Sequence, residues 1–270
     1  MTSAQQTKVD DLVVTRLSTT PIKGMRLHHP DHIVLDETGA VGDRDFLLAS
    51  DDDTLVSIKG CGELVEMTAT WDAGAEWLTI KSGDGTACEG PVELGESVLI
   101  NFFNYEERAG RVVHGPWSGV ISRAAGRRLR LVKMDKAGSG SDVRPVTLLG
   151  EASVRTLERE SGLGPIDPRR FRLLIQFTSG TGHIEDTWEG LEAEVGTARL
   201  RVGAAVPRCA AVTRNPEAGK RDKPIVQAIK AYRGIKATGF GKGVPFGVYA
   251  DVVQNGVVRV GDVLRVVREG

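Results

Sequence analysis

Cysteine is scarce in this sequence, and its scarcity excludes several kinds of protein. The 270 residues contain only three cysteines, Cys61, Cys88 and Cys209, and no two of them form a Cys-x-x-Cys pair. An odd number of cysteines in a long chain does not indicate a disulfide framework, and the His and Cys spacings do not fit a structural zinc site. Each cysteine is therefore either a small buried apolar residue or a reactive thiol.

Long apolar runs and a charge excess are also missing. No segment is long and apolar enough to cross a bilayer, and residues 1–10, MTSAQQTKVD, lack the apolar core of a secretory signal. Lys and Arg number 35 and Asp and Glu number 36, so the overall charge provides no basic footprint for nucleic acid. We therefore expect a cytoplasmic protein that has no membrane or nucleic-acid partner.

Glycine, in contrast, is abundant, and its 33 residues divide the chain into short segments. Apolar and β-branched segments recur between turn residues, a pattern typical of an antiparallel barrel or sandwich. In the first half, strands are predicted at 12–17, 33–35, 46–49, 64–70, 77–80, 97–101 and 129–132. In the second half, the clearest predicted strands are 171–177, 200–202, 248–253 and 263–267.

Helical patterns are few. Residues 150–161 place apolar side chains on one side, and residues 224–233 begin with proline and are followed by glycine. Residues 117–125 are a third, weaker candidate. The fold class predicted is mainly β with a few helices (β-rich α+β).

One segment has the composition of a linker. Residues 136–141, KAGSGS, are small and polar, and a boundary near them would divide the chain into a β-rich first half and a mixed second half. We therefore predict two domains, residues 11–134 and residues 135–270.

The stretch 208–233, RCAAVTRNPEAGKRDKPIVQAIKAYR, contains the most informative cysteine. Arg208 precedes Cys209, and a guanidinium beside a thiol favours the thiolate, which is a metal ligand or a nucleophile. A buried apolar role is the alternative interpretation of Cys209. Cys61 and Cys88 lack a comparable basic surround, so we expect both to be structural.

Other charged residues suggest an anion pocket. Arg170 and Arg172 alternate along a predicted strand and so would face the same side, where with Arg208 they would suit a phosphate or another planar anion. The histidines of the chain do not suggest a metal site, because the cluster His28, His29 and His32 lies in a loop without an accompanying carboxylate motif.

An ordered set of short motifs resembles the MOSC family, named after the C-terminal domain of molybdenum cofactor sulfurases. The motifs are TPIKG, GDRDF, SDVRPVTLL, PRRFRLL, EDTW, the Arg-Cys loop, the helix ending in Tyr-Arg, PFGVYADVV and GVVRVGDVL. The chain looks most similar to the two-part form, which includes the mitochondrial amidoxime reducing component and its bacterial relatives. That resemblance implies an N-terminal β-barrel domain followed by a MOSC β-barrel domain.

The resemblance also implies a molybdenum cofactor and a set of residues that hold it. Cys209 aligns with the cysteine that ligates molybdenum, and Lys23 and Arg44 align with the basic residues at the phosphate end of the pterin. The full set of predicted cofactor-binding residues is Lys23, Gly24, Arg44, Lys59, Asp142, Arg144, Arg170, Arg172, Arg208, Thr213 and Tyr249.

Several positions depart from the family pattern. Gly24 replaces a serine, Lys59 replaces the arginine of a Thr-x-Arg motif, and Leu173 and Leu174 replace Pro and Asn of Arg-Phe-Arg-Pro-Asn. Val143 and Arg144 stand where small hydroxyl residues are usual. Fewer hydrogen-bonding groups would alter the hold on a pterin.

The function implied is an oxidoreductase that reduces small N-hydroxylated compounds. Its electrons would come from a separate donor protein, because the sequence shows no flavin, haem or iron–sulfur motif. Two alternatives remain open. One is a sulfur carrier that uses a Cys209 persulfide, and the other is a non-catalytic carrier of the molybdenum cofactor.

Overall fold

Strands dominate the computed structural model, which describes residues 12–267. Within that range there are twenty strands, three α-helices and four short 3-10 helices. The prediction of a mainly β protein with a few helices is therefore confirmed. Residues 1–10, in which no secretory signal is predicted, lie outside the described residues.

Seven strands close into a barrel, in the order β1-β13-β12-β18-β15-β14-β20. Only β12 and β13 are parallel neighbours in this barrel, and the other neighbouring pairs are antiparallel. Its strands are Leu12–Leu17 (β1), Val146–Gly150 (β12), Ile175–Phe177 (β13), Glu192–Val195 (β14), Ala198–Pro207 (β15), Pro245–Gln254 (β18) and Val263–Val267 (β20).

Strand β1 belongs to this barrel although it is distant in sequence from the other six strands. Leu12 pairs with Leu264 of β20 on one side, and Val14 pairs with Phe177 of β13 on the other. The interior is filled by branched and aromatic side chains such as Val14, Phe177 and Trp188. The first strand of the chain therefore completes a barrel that the second half otherwise builds.

A five-stranded antiparallel sheet forms the larger part of the first half, in the order β5-β4-β11-β10-β9. Its two edges approach each other through a bridge between Thr54 and Asn101, so the sheet curls around its own apolar cluster. Its strands are Phe46–Ala49 (β4), Leu55–Val56 (β5), Glu93–Phe102 (β9), Glu106–His114 (β10) and Arg130–Met134 (β11).

Three smaller sheets complete the strands. The sheet β6-β7-β8 lies in the first half, β16 and β17 form a hairpin in the second half, and the sheet β19-β2-β3 joins the two halves. The strands are His32–Asp36 (β2), Gly39–Ala40 (β3), Thr68–Asp72 (β6), Trp77–Lys81 (β7), Ala87–Pro91 (β8), Lys236–Thr238 (β16), Gly241–Gly243 (β17) and Gly256–Arg259 (β19).

The three predicted helices are present. They are Trp117–Ala125 (α1), Glu151–Ser161 (α2) and Ile225–Arg233 (α3), and each is followed by a glycine with positive φ that ends it. Helix α1 packs on the core of the first half through Trp117 and Ile121. The 3-10 helices are Gly62–Glu66, Pro168–Phe171, Ile184–Trp188 and Ala210–Thr213.

Two predicted strands are partly wrong. Residues 64–66 lie in a 3-10 helix, and a strand begins only at Thr68. The predicted strand 171–177 begins only at Ile175, since residues 168–171 form a 3-10 helix in which Asp167 caps the first turn and Pro168 stands at the start. Arg172 then has a φ of 53°, so Arg170 and Arg172 do not alternate along a strand as expected.

The segment 136–141 is not a free tether. Lys23 Nζ donates to the Gly140 carbonyl at 2.8 Å, and Arg108 donates to the carbonyls of Ser139 and Ser141. Its small residues permit close backbone approach, since a Cβ on Gly140 would collide with the backbone of Arg44. The small residues that suggest a linker therefore allow residues 136–141 to pack closely against the first half.

Candidate functional site

A cleft of about 130 Å³ lies between the two halves of the structure, and both halves contribute to its walls. It collects most of the residues that the sequence predicts for cofactor binding. Those that line it are Lys23, Gly24, Arg44, Lys59, Asp142, Arg144, Arg170, Arg172, Arg208, Cys209 and Tyr249.

Lys23 is buried at the base of the cleft, in the loop that follows β1. Its backbone N–H donates to the Phe46 carbonyl at 3.0 Å, and its ammonium donates to Asp142 Oδ1 at 2.5 Å. Burial lowers the pKa of Lys23, Asp142 offsets part of that effect, and nearby Arg44 adds to it. Lys23 is therefore a cation that would gain from a further anion.

Arg44 is held in place by its sequence neighbour. It has a φ of 57°, its N–H donates to the Thr20 carbonyl at 2.8 Å, and its guanidinium pairs with the buried Asp43. Asp43 also accepts from the Thr20 N–H at 2.7 Å. The TPIKG and GDR segments are thereby fastened together, which orients the two cations Lys23 and Arg44 toward one cleft.

Arg172 shows that positive charge is in excess in the cleft. Its guanidinium donates to the Met25 carbonyl at 2.7 Å, and its own carbonyl accepts from Arg44 at 3.2 Å. Burial and then the neighbouring charge of Arg44 lower the pKa of Arg172 to about 9, although Asp43 and Asp142 act in the opposite sense. An anion in the cleft would relieve this repulsion.

Arg208 and Cys209 follow the end of strand β15, and Cys209 stands directly before the next 3-10 helix. The Arg208 N–H donates to the Val244 carbonyl at 2.8 Å, and its guanidinium donates to the Phe171 carbonyl at 2.6 Å. Burial lowers the pKa of Arg208, with Cys209 and Tyr249 acting against that effect. Cys209 is exposed, so the interpretation of this residue as a buried apolar side chain is wrong.

Arg170 lines the cleft, but most of its donors are already engaged. It forms two parallel hydrogen bonds of 2.7 Å with Asp222 and a third of 2.9 Å with the Arg214 carbonyl. Its side chain is only 3 % exposed. Arg170 therefore fixes the loop that follows Cys209, while its Nε is buried without a hydrogen-bond partner among the described residues.

Thr213 does not line the cleft. It is buried behind it, where its hydroxyl donates to the Ala210 carbonyl at 2.6 Å. Within residues 12–267 the structure therefore gathers eleven of the twelve predicted site residues and leaves Thr213 aside.

The remaining predicted residues differ in how they line the cleft. Gly24 has a φ of 97°, and a Cβ there would come within 2.9 Å of Leu64 Cδ1, so this loop requires glycine. Lys59 is exposed, and Arg144 is paired with Asp251 at 2.7 Å. Tyr249 is buried on β18, and its pKa is raised mainly by burial.

Sequence reasoning missed the residues that position these cations. Asp222 anchors Arg170, and Arg108 holds residues 139–142 while its guanidinium lies 3.4 Å from the centre of the Phe102 ring. Thr147 accepts from the N–H of Leu174 at 2.8 Å, so that leucine is fixed through its backbone. Only Asp43 had a visible signal, because it belongs to the Gly-Asp-Arg motif.

The other candidates lie apart from the cleft. Cys61 is buried and donates to Glu63, and burial followed by that carboxylate raises its pKa to about 11. His28 and His29 have separate backbone partners, the carbonyls of Ala69 and Leu17. Among residues 12–267, no three His, Cys, Asp or Glu side chains are grouped to hold a metal ion.

The cleft thus combines an accessible sulfur atom with an excess of cations. Thiolate sulfur is a soft ligand suited to transition metals, and guanidinium and ammonium groups suit phosphate oxygens. A bound group that contains both a metal and a phosphate would match the two kinds of residue. A family model for the MOSC domain matches residues 135–265, just under half of the chain. These residues form a MOSC domain.

The chain is also similar in sequence to curated relatives. It is 30 % identical over 166 residues to the mitochondrial amidoxime-reducing component 1 of Xenopus laevis, which covers 59 % of this chain and 47 % of the relative. It is 27 % identical over 251 residues to the molybdenum cofactor sulfurase of Caenorhabditis briggsae, covering 88 % and 34 %. The chain therefore spans between a third and a half of the length of these relatives.

Two solved structures show a more distant likeness. The YUAD protein from Bacillus subtilis has 12 % sequence identity and a TM-score of 0.47, with 95 % of this chain and 96 % of that chain covered. YiiM from Geobacillus stearothermophilus has 18 % identity and a TM-score of 0.35, with coverage of 48 % and 58 %.

Within residues 12–267, no helix has both the length and the apolar character needed to span a membrane.

Proposed function

We propose that this protein binds a molybdenum cofactor in the cleft and uses it to reduce small N-hydroxylated compounds. The observation that carries the proposal is the exposed thiol of Cys209 in a cleft lined by Lys23, Arg44, Arg172 and Arg208. The names of the relatives support the same cofactor and, for the amidoxime-reducing component, the same substrate class.

The residues present fit such a cofactor. The Nε of Arg208 is buried and lacks a hydrogen-bond partner among the described residues, which leaves a donor for a ligand. Burial, and to a lesser extent the charge of Arg44, lowers the pKa values of Lys23 and Arg172, so a nearby anion would stabilise both cations. A phosphate at this end of the cleft would be such an anion.

The departures from the family pattern do not remove these features. Leu173 and Leu174 line the cleft with apolar side chains and contribute no side-chain hydrogen bond to a pterin. Gly24 replaces a serine, but its φ of 97° shows that this loop follows a path suited to glycine. We therefore expect the basic residues to contribute more of the binding energy here than the family pattern implies.

Each residue of the cleft has a role in this proposal. Cys209 would hold the metal through its sulfur, and Arg208 beside it would stabilise the thiolate. Lys23 and Arg44 would bind and orient the phosphate end, since Asp43 and Asp142 fix both side chains. Asp142 is kept ionised in spite of its surroundings, because Lys23 holds its pKa below the usual value.

The cofactor would supply the redox chemistry. Conversion of an N-hydroxyl group to N–H takes two electrons and two protons and releases water, so an electron source is required. A separate donor protein would fill that role.

Elemental analysis tests the proposal directly. Protein expressed in a host that makes the cofactor should retain molybdenum, and Cys209→Ala should reduce the retained metal by about tenfold or more. Cys88→Ala is the matched control, since Cys88 lies on β8 away from the cleft, and it should retain wild-type levels. Wild-type protein free of molybdenum from such a host would refute the proposal.

A sulfur carrier is the second candidate, favoured by the exposure of Cys209 and by the sulfurase relative. The Cys209 thiolate would attack the outer sulfur of a persulfide donor and form Cys209 persulfide, while the donor would leave as a thiolate. Mass spectrometry after incubation with a persulfide should then show one added sulfur atom on the Cys209 peptide. An unchanged peptide mass would eliminate this candidate.

A further inference from the structure

Two exposed aromatic rings, one from each half of the structure, meet near residues that line the cleft, although neither ring lines it. Tyr105 lies in the turn between β9 and β10, and Phe240 lies in the turn of the β16–β17 hairpin. Their ring centroids are 4.6 Å apart in an edge-to-face arrangement, although Tyr105 is 72 % exposed and Phe240 is 44 % exposed. We call these two residues the aromatic rim.

The Phe240 side of the rim is attached to the strand that presents Cys209. Gly239 N–H donates to the Ala205 carbonyl of β15 at 2.9 Å, and Arg208 N–H donates to the Val244 carbonyl just after β17. The hairpin backbone also lies on Tyr249, because a Cβ on Gly239 would come within 2.8 Å of that ring. Gly239, the neighbour of Phe240, therefore lies against a residue that lines the cleft.

The turn that presents Phe240 is defined by its own hydrogen bonds. The Thr238 hydroxyl donates to the Gly241 carbonyl at 2.7 Å and accepts from the Phe240 N–H at 3.2 Å. Thr238 thus closes the turn and projects the phenyl ring at the end of the hairpin.

The Tyr105 side of the rim continues from the opposite wall. Phe103 lines the cleft with its ring 5.9 Å from Lys23 Nζ, and it precedes Tyr105 by two residues. Phe103 and Asn104 both have positive φ values, so the chain reverses sharply here and carries Tyr105 outward to meet Phe240. The rim consequently spans the two halves next to the cleft.

We propose that the aromatic rim contacts the substrate and gives the protein a preference for N-hydroxylated compounds that carry a planar ring. This inference rests on the proposed function and adds a substrate class to it. Large rings that remain exposed offer a stacking surface to a flat ligand. The polar N-hydroxyl end of the ligand would then point from the rim toward the cleft.

Binding without turnover tests this preference. Calorimetric titration of the full chain as purified, with no electron donor, compares benzamidoxime with acetamidoxime, which are neutral and differ in the ring. Wild-type protein should bind benzamidoxime about tenfold more tightly, which corresponds to about 1.4 kcal/mol. Phe240→Leu and Tyr105→Leu, which keep an apolar side chain but remove the ring, should each lower that ratio toward one.

The control is Trp77→Leu, which removes another exposed aromatic ring from β7, outside the cleft lining. It should leave the ratio of the two affinities at the wild-type value. The proposed role of the aromatic rim is refuted if wild-type protein binds the two ligands equally or not at all. It is also refuted if both rim variants keep the wild-type ratio of affinities. Molybdenum content is measured separately. If wild-type protein lacks molybdenum but prefers benzamidoxime, and the rim variants lose that preference, only the proposed function is refuted.

Discussion

At the scale of single residues, Glu185 has an unusual environment. It is fully buried in the 3-10 helix Ile184–Trp188, where it accepts from the Ser153 hydroxyl at 2.7 Å and from the Gly150 N–H at 3.3 Å. It thereby caps the start of α2 from outside the helix. Burial raises its pKa to about 7, although these hydrogen bonds favour the charged form.

This shift predicts how stability depends on pH. Below pH 4.5 the carboxyl is protonated in both the folded and the unfolded protein, and it contributes no pH dependence. Between pH 4.5 and about 7 the unfolded chain ionises first, so the contribution of Glu185 to the free energy of unfolding falls as pH rises. Above about pH 7 both states are ionised, and this contribution becomes constant.

Between pH 5 and 8, ionisation of Glu185 should lower the free energy of unfolding of the wild-type protein by an amount on the order of 1–3 kcal/mol. Glu185→Gln should remove this pH-dependent decrease. Urea unfolding at pH 5, 6, 7 and 8 measures it. Glu189→Gln, at an exposed position of the same chain segment, should reproduce the wild-type pH dependence. A variant at position 185 whose slope matches wild type would show that the buried carboxyl does not titrate in this range.

At the scale of elements, a buried arginine anchors both ends of the loop 214–222. Arg170 joins Asp222 through two hydrogen bonds and also holds the Arg214 carbonyl. A lysine ammonium cannot form the two parallel hydrogen bonds that the guanidinium makes with Asp222. Arg170→Lys should therefore lower the free energy of unfolding by about 3 kcal/mol. Thermal or urea unfolding gives the value.

A surface pair provides the comparison for that prediction. Arg201 and Glu192 are 2.7 Å apart on neighbouring strands, and Arg201 is largely exposed. Arg201→Lys should cost less than about 1 kcal/mol, since exposed ion pairs contribute little. Equal losses in the two variants would mean that burial of Arg170 does not determine the strength of its pair.

Local patterns predicted elements better than they predicted partners. The strand at 12–17 and the helix at 151–161 follow from alternation and from helical spacing, which are properties of neighbouring residues. Residues 171–174 were misassigned to a strand because the turn signal of Asp167-Pro168 was outweighed by the apolar run after it. The pairing of Arg170 with Asp222 could not be predicted, because the two residues are 52 positions apart and no local pattern links them.

At the scale of the whole molecule, the barrel of the second half is incomplete without the first strand. Strand β1 separates β13 from β20 and hydrogen-bonds to both, so its removal opens the barrel along two edges. A fragment of residues 135–270 should therefore fail to unfold cooperatively in urea, whereas the full chain should show one sharp transition.

Adding back the missing strand provides the control. Co-expression of the fragment with a segment that covers residues 1–31 should restore a cooperative transition, because that segment contains β1. A fragment of residues 135–270 that unfolds cooperatively on its own, at the urea midpoint of the full chain, would contradict the prediction.

The wide separation of Leu12 from Leu264 also has a consequence for biosynthesis. During translation at about 5–20 residues per second, the opening strand leaves the ribosome on the order of 10–50 s before its last neighbour is synthesised. For that interval its apolar side chains have no barrel to enter, and the nascent chain presents them to chaperones and to other unfinished chains. Barrel closure must then wait until residues 263–267 have left the ribosome, which makes the yield of native protein sensitive to temperature and expression rate.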